Sequence, residues 1–204
     1  MPCPVRERAR GPTPRPVGLR YSPGRLLVHR RIHDAFLSAF AAEAAKLRTG
    51  VDCGPLNNAA QLASVQALLD RLPPHAGIVT GGGRPPRPGF FPEPTVVAGV
   101  RRDEEVVQEE TFGPVVTVQP FADEAEALHL ANDVRFGLAA RVWTTDHDRA
   151  MRAIRALHTG IVWVNTHGTT VSEMPHGGVK HSGYGSDLSL SGLLDYTRAK
   201  HVML

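Results

Sequence analysis

The sequence has only two cysteines, Cys3 and Cys53, in 204 residues. That is too few for a disulfide framework or a cysteine-built zinc site. It also lacks any run of roughly 18 apolar residues, which argues against a membrane-spanning helix. No basic-then-apolar leader pattern opens it, so the expected compartment is the cytoplasm. Aromatic residues are scarce at 6%. An excess of one charge is missing too, because 23 Lys and Arg face 20 Asp and Glu for a net of +3.

The charge that is present is unevenly placed. Residues 1–31 hold eight arginines and one acid, Glu7, a net of +7 that leaves −4 for the remaining 173 residues. The same region holds six of the 17 prolines: Pro2, Pro4, Pro12, Pro14, Pro16 and Pro23. Proline at that density forbids a helix or a central strand, so residues 1–24 are expected to be a disordered arm. The arm reads either as a phosphate-gripping segment or as a tail without a role. With Tyr21 alone available for base stacking, no nucleic-acid partner is expected, and without a long apolar run no membrane partner is expected.

From Arg25 onward strands and helices alternate. Arg25 to His29 reads as a strand and His33 to Leu47 as a helix, ended by Thr49-Gly50. Asn57 or Asn58 caps a second helix that Pro73-Pro74 stops. Ile78 to Thr80, Thr95 to Val97 and Val115 to Phe121 read as strands. Asp123-x-x-Glu126 has the form of a capping box ahead of a helix. Leu138 to Trp143 is a strand, Asp146 starts a helix that Gly160 ends, and Ile161 to Asn165 is a strand. A glycine-rich loop runs from Thr166 to Asp187. A helical stretch near Leu188 to Leu194 and a strand from Tyr196 to Met203 close the chain. This spacing predicts an α/β fold with a parallel sheet.

Two segments carry candidate chemistry. Val107 to Pro114 reads VQEETFGP. A carboxylate at a strand end accepts two hydrogen bonds and suits a sugar diol, and a phenylalanine beside it offers a flat apolar wall. A solvated acid pair with a core phenylalanine in a tight turn fits the same letters, and composition alone favours it. Met174 to Asp187 reads MPHGGVKHSGYGSD, an ordered loop of unusual dihedrals in a place where α/β folds hold ligands. No Gly-Lys-Ser/Thr follows a strand, so it is not a phosphate-binding P-loop. His29 and His33 have helical metal-ligand spacing but no third ligand, so no metal is expected. His75, His129, His147 and His158 read as solvated. Cys3 lies between prolines, and Cys53 lies beside Asp52, whose charge opposes a thiolate; neither reads as a nucleophile.

The segments GPLNN at Gly54, GFFPEPTVV at Gly89, EETFGPV at Glu109, ANDVRFGLAARVWT at Ala131, GIVWVNTH at Gly160 and PHGGVKHSGYG at Pro175 follow one another in a recognisable order. From Leu27 to Leu204 the chain resembles the C-terminal part of the NAD-dependent aldehyde dehydrogenases. VNTHGTTVSEMPHGG, with His176 where most relatives carry Phe, and the ending SGYGSDLSLSGLLDYTRAKHVML resemble the aminobutyraldehyde (1-pyrroline) dehydrogenase branch. That resemblance implies oxidation of 4-aminobutanal, a putrescine breakdown product, to 4-aminobutanoate. It implies that Glu110 binds the nicotinamide-ribose hydroxyls of NAD and that Phe112 packs by the nicotinamide. Gly168, Thr170 and His176 would line the aldehyde tunnel. Residues 25–195 would be a partial catalytic domain, and 196–204 an oligomerisation strand joining subunits in dimers or tetramers.

The family reaction uses a cysteine thiolate, an asparagine amide, a glutamate and a glycine-rich cofactor half. Continuing the resemblance without gaps places Arg20 where the thiolate belongs, and the other parts fall upstream of this sequence. The loop from Gly50 to Gly54 is shorter than usual. No catalytic residue is therefore assigned, and the isolated chain is expected to be inactive. The Pro/Arg/Gly bias of residues 1–25 reads as GC-rich DNA out of frame, hence a frameshifted or truncated gene. The rival expectation is a non-catalytic partner that docks onto full-length subunits through the Tyr196 strand.

Overall fold

The computed structural model describes residues 24–204. The expectations for the N-terminal arm, Cys3, Arg20 and Tyr21 lie outside the described residues. Two compact units divide the chain between Leu130 and Ala131.

The first unit runs β1 (Arg25–His29), α1 (His33–Ala44), α2 (Ala59–Asp70), β2 (Gly77–Thr80), β3 (Thr95–Ala98), α3 (Glu105–Gln108) and β4 (Val115–Phe121). Helix α4 (Glu124–Asn132) comes next and runs past the boundary. The strands form one sheet in the order β1-β4-β3-β2. β4 lies between β1 and β3 and is parallel to both, with Arg25 opposite Thr117 and Thr95 opposite Val115. β2 runs antiparallel at the edge, with Gly77 opposite Ala98. The expected parallel sheet is thus present with one reversed strand. The reversal fits the connection: residues 81–94, rich in Gly and Pro, form no helix of the kind that usually carries a parallel crossover.

β4 is buried from Val115 through Gln119. Its side chains alternate between two cores, as the pleat requires. Val116 and Val118 pack with Val28, Val96 and the α1 residues Phe40 and Ala44. Val115 packs with Val97 and the α2 residues Leu62, Val65, Leu68 and Leu69. The two helices therefore cover opposite faces, and each buried Val or Leu adds roughly 1.5–3 kcal/mol.

Local signals set the element ends. Asn58 caps α2 by accepting from the Gln61 N–H at 2.8 Å. Asp123 accepts from the Glu126 N–H at 2.9 Å, while Glu126 reaches back to the Ala122 N–H at 2.6 Å, one residue before a regular capping box would put it. α1 stops at Ala44, short of the expected Leu47, because Lys46 and Leu47 bond three residues back and tighten the last turn.

The second unit contains β5 (Phe136–Gly137), β6 (Ala139–Val142), α5 (His147–Ala156), β7 (Ile161–Val164), β8 (His176–Gly177), β9 (Val179–Lys180), β10 (Ser186–Asp187) and α6 (Ser189–Asp195). β6 and β7 pair in parallel across α5, whose N-cap Asp146 accepts from the Arg149 N–H at 2.9 Å. β5 pairs with β9 and β8 with β10, both antiparallel. The expected loop from Thr166 to Asp187 is therefore partly laddered. Residues 196–204 form no strand in the isolated chain. A strand exists only through ladder bonds, and no neighbour among the described residues supplies them. No helix among the described residues is long and apolar enough to cross a membrane.

Gly81 and Gly77 give a paired test of the β2 edge. Gly81 has φ +80, and a Cβ there would lie 2.1 Å from the Pro94 carbonyl oxygen, whereas nothing lies within 4 Å of one at Gly77. Gly81→Ala should destabilise the chain by at least about 1–3 kcal/mol in thermal melts, and Gly77→Ala by much less. Equal melting temperatures for the two variants would contradict this close approach.

Candidate functional site

The segment from Val107 to Pro114 is built between two buried anchors. On one side Val106 and Val107 of α3 enter the core. On the other, Gly113 and Pro114 are buried and the Pro114 carbonyl accepts from the Thr95 N–H at 2.8 Å. Between them Glu109 leaves the helix in an extended conformation, and Glu109 and Glu110 face solvent. Phe112 has φ +43, a left-handed conformation costly for a residue with a bulky side chain. Its ring stays 49% exposed. The segment is thus a turn at the amino end of β4 whose two acids are solvated, as composition leads one to expect, but whose phenylalanine lies outside the core.

The charges around α3 are sorted. Glu105 receives two hydrogen bonds from Arg71, at 2.6 and 3.0 Å, which hold its carboxyl below the usual glutamate range. Glu104 pairs with His75 at 2.5 Å. Glu110 accepts no hydrogen bond from any described residue. Partial burial against the turn, then the charge of Glu109, push its carboxyl above the usual range. An acid left without a partner beside a strained, open aromatic ring departs from what stability alone would select.

The structure brings Glu110 and Phe112 into one turn. It also shows a residue that sequence reasoning missed. The Gln61 side-chain amide of α2 donates to the Phe112 carbonyl at 2.5 Å, across 51 positions of sequence. No local signal marks such a bond; only the cap at Asn58, three residues earlier, hints that Gln61 sits at a helix start.

In the second unit Gly168 and Thr170 share the loop after β7. That loop is pinned at both ends of its first turn. Asn165, at φ +54, accepts from the Thr144 N–H at 3.0 Å and donates to the Thr144 carbonyl at 2.8 Å. Trp163 donates to the Thr169 carbonyl at 2.8 Å and meets His167 edge-on at 5.1 Å. Gly168 has φ +74 and is half-buried, while Thr170 is exposed. His176 is half-buried on β8, opposite Asp187. Lys180, also unforeseen, donates to the Asn132 and Val134 carbonyls at 2.7 and 3.0 Å and so closes the C-terminal end of α4.

Comparison with known proteins gives these features a context. The profile of the aldehyde dehydrogenase family matches residues 21–202. Betaine aldehyde dehydrogenase of Bacillus subtilis is 40% identical over 189 residues, covering 87% of this chain and 39% of that protein. Aminoaldehyde dehydrogenase 2 of Zea mays is 37% identical over 187 residues, with 87% of this chain and 37% of that protein covered. Among solved structures, betaine aldehyde dehydrogenase of Staphylococcus aureus in complex with NAD+ superimposes with a TM-score of 0.86 at 35% identity, covering 91% of this chain and 39% of that one. The chain therefore spans about two-fifths of the length of the relatives it matches.

The Glu110 carboxyl has a testable pH signature. Its folded value lies above the unfolded one, near 4.3 for an unperturbed glutamate. Its favourable contribution is therefore complete below that value and is lost as pH rises through the folded value. Glu110→Gln should match the wild-type chain in melting temperature below about pH 4 and exceed it at pH 7. A variant less stable at pH 7 would show that the carboxylate is stabilised by its surroundings.

Proposed function

Because the chain belongs to the aldehyde dehydrogenase family, we propose that it is the part of an NAD-dependent enzyme that faces the nicotinamide half of the cofactor and the aldehyde channel. The observation that carries this reading is the exposed, unpartnered Glu110 carboxylate in one rigid turn with the half-exposed Phe112 ring. Those groups fit the cofactor. The carboxylate accepts from two vicinal hydroxyls, and paired hydroxyl donors favour the ionised form that this environment disfavours. Phe112 presents an apolar face to a flat ring. Bound NAD would accept hydride from the aldehyde carbon. The S. aureus relative holds NAD+, whereas a Deinococcus radiodurans relative, 38% identical, is a succinate-semialdehyde dehydrogenase that uses NADP(+).

Gly168, Thr170 and His176 are proposed to line the aldehyde channel. The substrate class is an aminoaldehyde, with 4-aminobutanal of putrescine degradation as the specific proposal. It is supported by the names of the betaine aldehyde and aminoaldehyde relatives and by His176. Oligomerisation through residues 196–204 is proposed as well. Tyr196, Val202 and Met203 are strongly exposed there, which also favours the second reading, a non-catalytic docking partner of full-length relatives.

These 204 residues are proposed to have no turnover by themselves. Cys53 is 4% exposed in the core with Leu56 and Val97, so its sulfur meets no substrate. The neighbouring Asp52 is held by Arg48, not by any catalytic group.

Two measurements test this reading. The pure chain, mixed with NAD+ and 4-aminobutanal, should generate no NADH; steady production would refute the inactivity. Saturation-transfer NMR at roughly millimolar NAD+ should show contact between the nicotinamide ring and Phe112, weakened in Glu110→Gln. Contact confined to other residues would refute the cofactor assignment.

A further inference from the structure

We propose that Gln61 is a positioning residue. Its side-chain carboxamide holds Phe112 in the left-handed backbone conformation that turns the phenyl ring outward. The assignment of a cofactor role to that ring rests on the reading above; the hydrogen bond itself does not.

The argument starts from how a helix begins. Gln61 is the third residue of α2 after the cap Asn58. That position commonly holds Glu or Gln, whose side-chain oxygen reaches back to a free backbone N–H. Gln61 does this: its Oε1 accepts from the Asn57 N–H at 3.3 Å. Glutamate would serve this purpose equally, and its charge would favour the helix start further. Only glutamine brings a donor as well. Here the donor is spent on the Phe112 carbonyl, far away in sequence.

The recipient is a strained residue. Among the described residues five non-glycine positions have positive φ, and Phe112 carries the bulkiest side chain of them. Such a conformation persists only when its surroundings over-determine it. On the carboxyl side Gly113 is buried and packs so closely on α2 that a Cβ there would lie 2.8 Å from the Val65 side chain. Pro114 then leads into the buried strand. Packing fixes the backbone from Gly113 onward, and the Gln61 donor fixes the carbonyl of Phe112.

This separates two roles that usually coincide. Removing the donor while keeping the oxygen should leave α2 intact and free Phe112. Gln61→Glu makes that change. Gln61→Ala removes both groups and serves as the second variant.

The experiment is NMR on the full chain. In the wild type, a scalar coupling across the hydrogen bond should link Gln61 Nε2 to the Phe112 carbonyl carbon. The Phe112 backbone couplings should report a left-handed residue. In Gln61→Glu at pH 7 the left-handed signature should disappear while the signals of Leu62 and Val65 in α2 persist. Acidifying that variant below about pH 4 protonates its carboxyl, restores a donor and should restore the signature. The wild type run over the same range controls for Glu109 and Glu110. Saturation transfer from NAD+ to the Phe112 ring should fall by about three- to tenfold in Gln61→Ala, the worth of one hydrogen bond. A Phe112 signature unchanged in both variants would overturn the proposal. So would a lost signature with undiminished transfer from NAD+. If the wild type shows the bond but no transfer to Phe112, the cofactor reading fails and takes the functional half of the proposal with it; the intact coupling identifies that failure.

Discussion

Everything in the first unit hangs on β4 being buried on both faces. Val116 and Val118 belong to the core under α1, and Val115 to the core under α2. A slip of one residue would exchange the two sets and push Thr117 and Gln119 into the wrong neighbours. Thr117 is tied to the Gly24 carbonyl and Gln119 to that of Val100, each at 3.4 Å, so the polar members of the strand also read the register. The start of β4 is therefore fixed to within a residue, and so is the turn in front of it.

That fixed entry lets the turn carry groups that do nothing for folding. Arg71 and His75, both just beyond the end of α2, hold Glu105 and Glu104 and so hold α3. With both ends anchored, the Glu110 carboxylate and the Phe112 ring are not needed to hold the turn together; the bonds there are made by the Glu109 N–H to the Glu105 carbonyl and by Gln61 to the Phe112 carbonyl. Glu110 is left above its usual pKa, and Phe112 is left strained and half-exposed. Both conditions cost stability. They are sustained by the packing of α2 against β4 and not by anything in the turn itself.

Much of this was legible in the sequence, for reasons that differ by element. The strand at Val115 showed because a strand buried on two faces is nearly all apolar, and α2 because Asn58 and Pro73-Pro74 bracket an apolar period. The EETFGP turn stood out as letters, but composition read it as solvated acids, and the family resemblance had to supply a role. α3 was missed: four residues are fewer than any helical period needs, and only burial of Val106 and Val107 reveals it. The reversed β2 was missed because a short apolar run carries no direction. Gln61 and Lys180 were missed because their partners are backbone carbonyls, which have no letter in a sequence. The strand expected at Tyr196–Met203 is absent because no described residue offers its backbone a ladder, and a sequence pattern cannot show whether a strand finds a neighbour.

The two candidate segments, each within its own unit, use the same device. A non-glycine residue takes a left-handed conformation, and a carboxamide fastens the backbone next to it. In one unit Gln61 grips the carbonyl of Phe112; in the other Asn165, itself left-handed, grips both backbone groups of Thr144. Asparagine tolerates that conformation and can serve as both bent residue and clamp. Phenylalanine has no such side chain, so the clamp must come from elsewhere in the fold. A planar amide suits the task because it offers a donor group and an acceptor group without charge, and it does not titrate in the ordinary pH range. In the same turn burial and the charge of Glu109 raise the Glu110 carboxyl, and an uncharged clamp adds no further charge to that field.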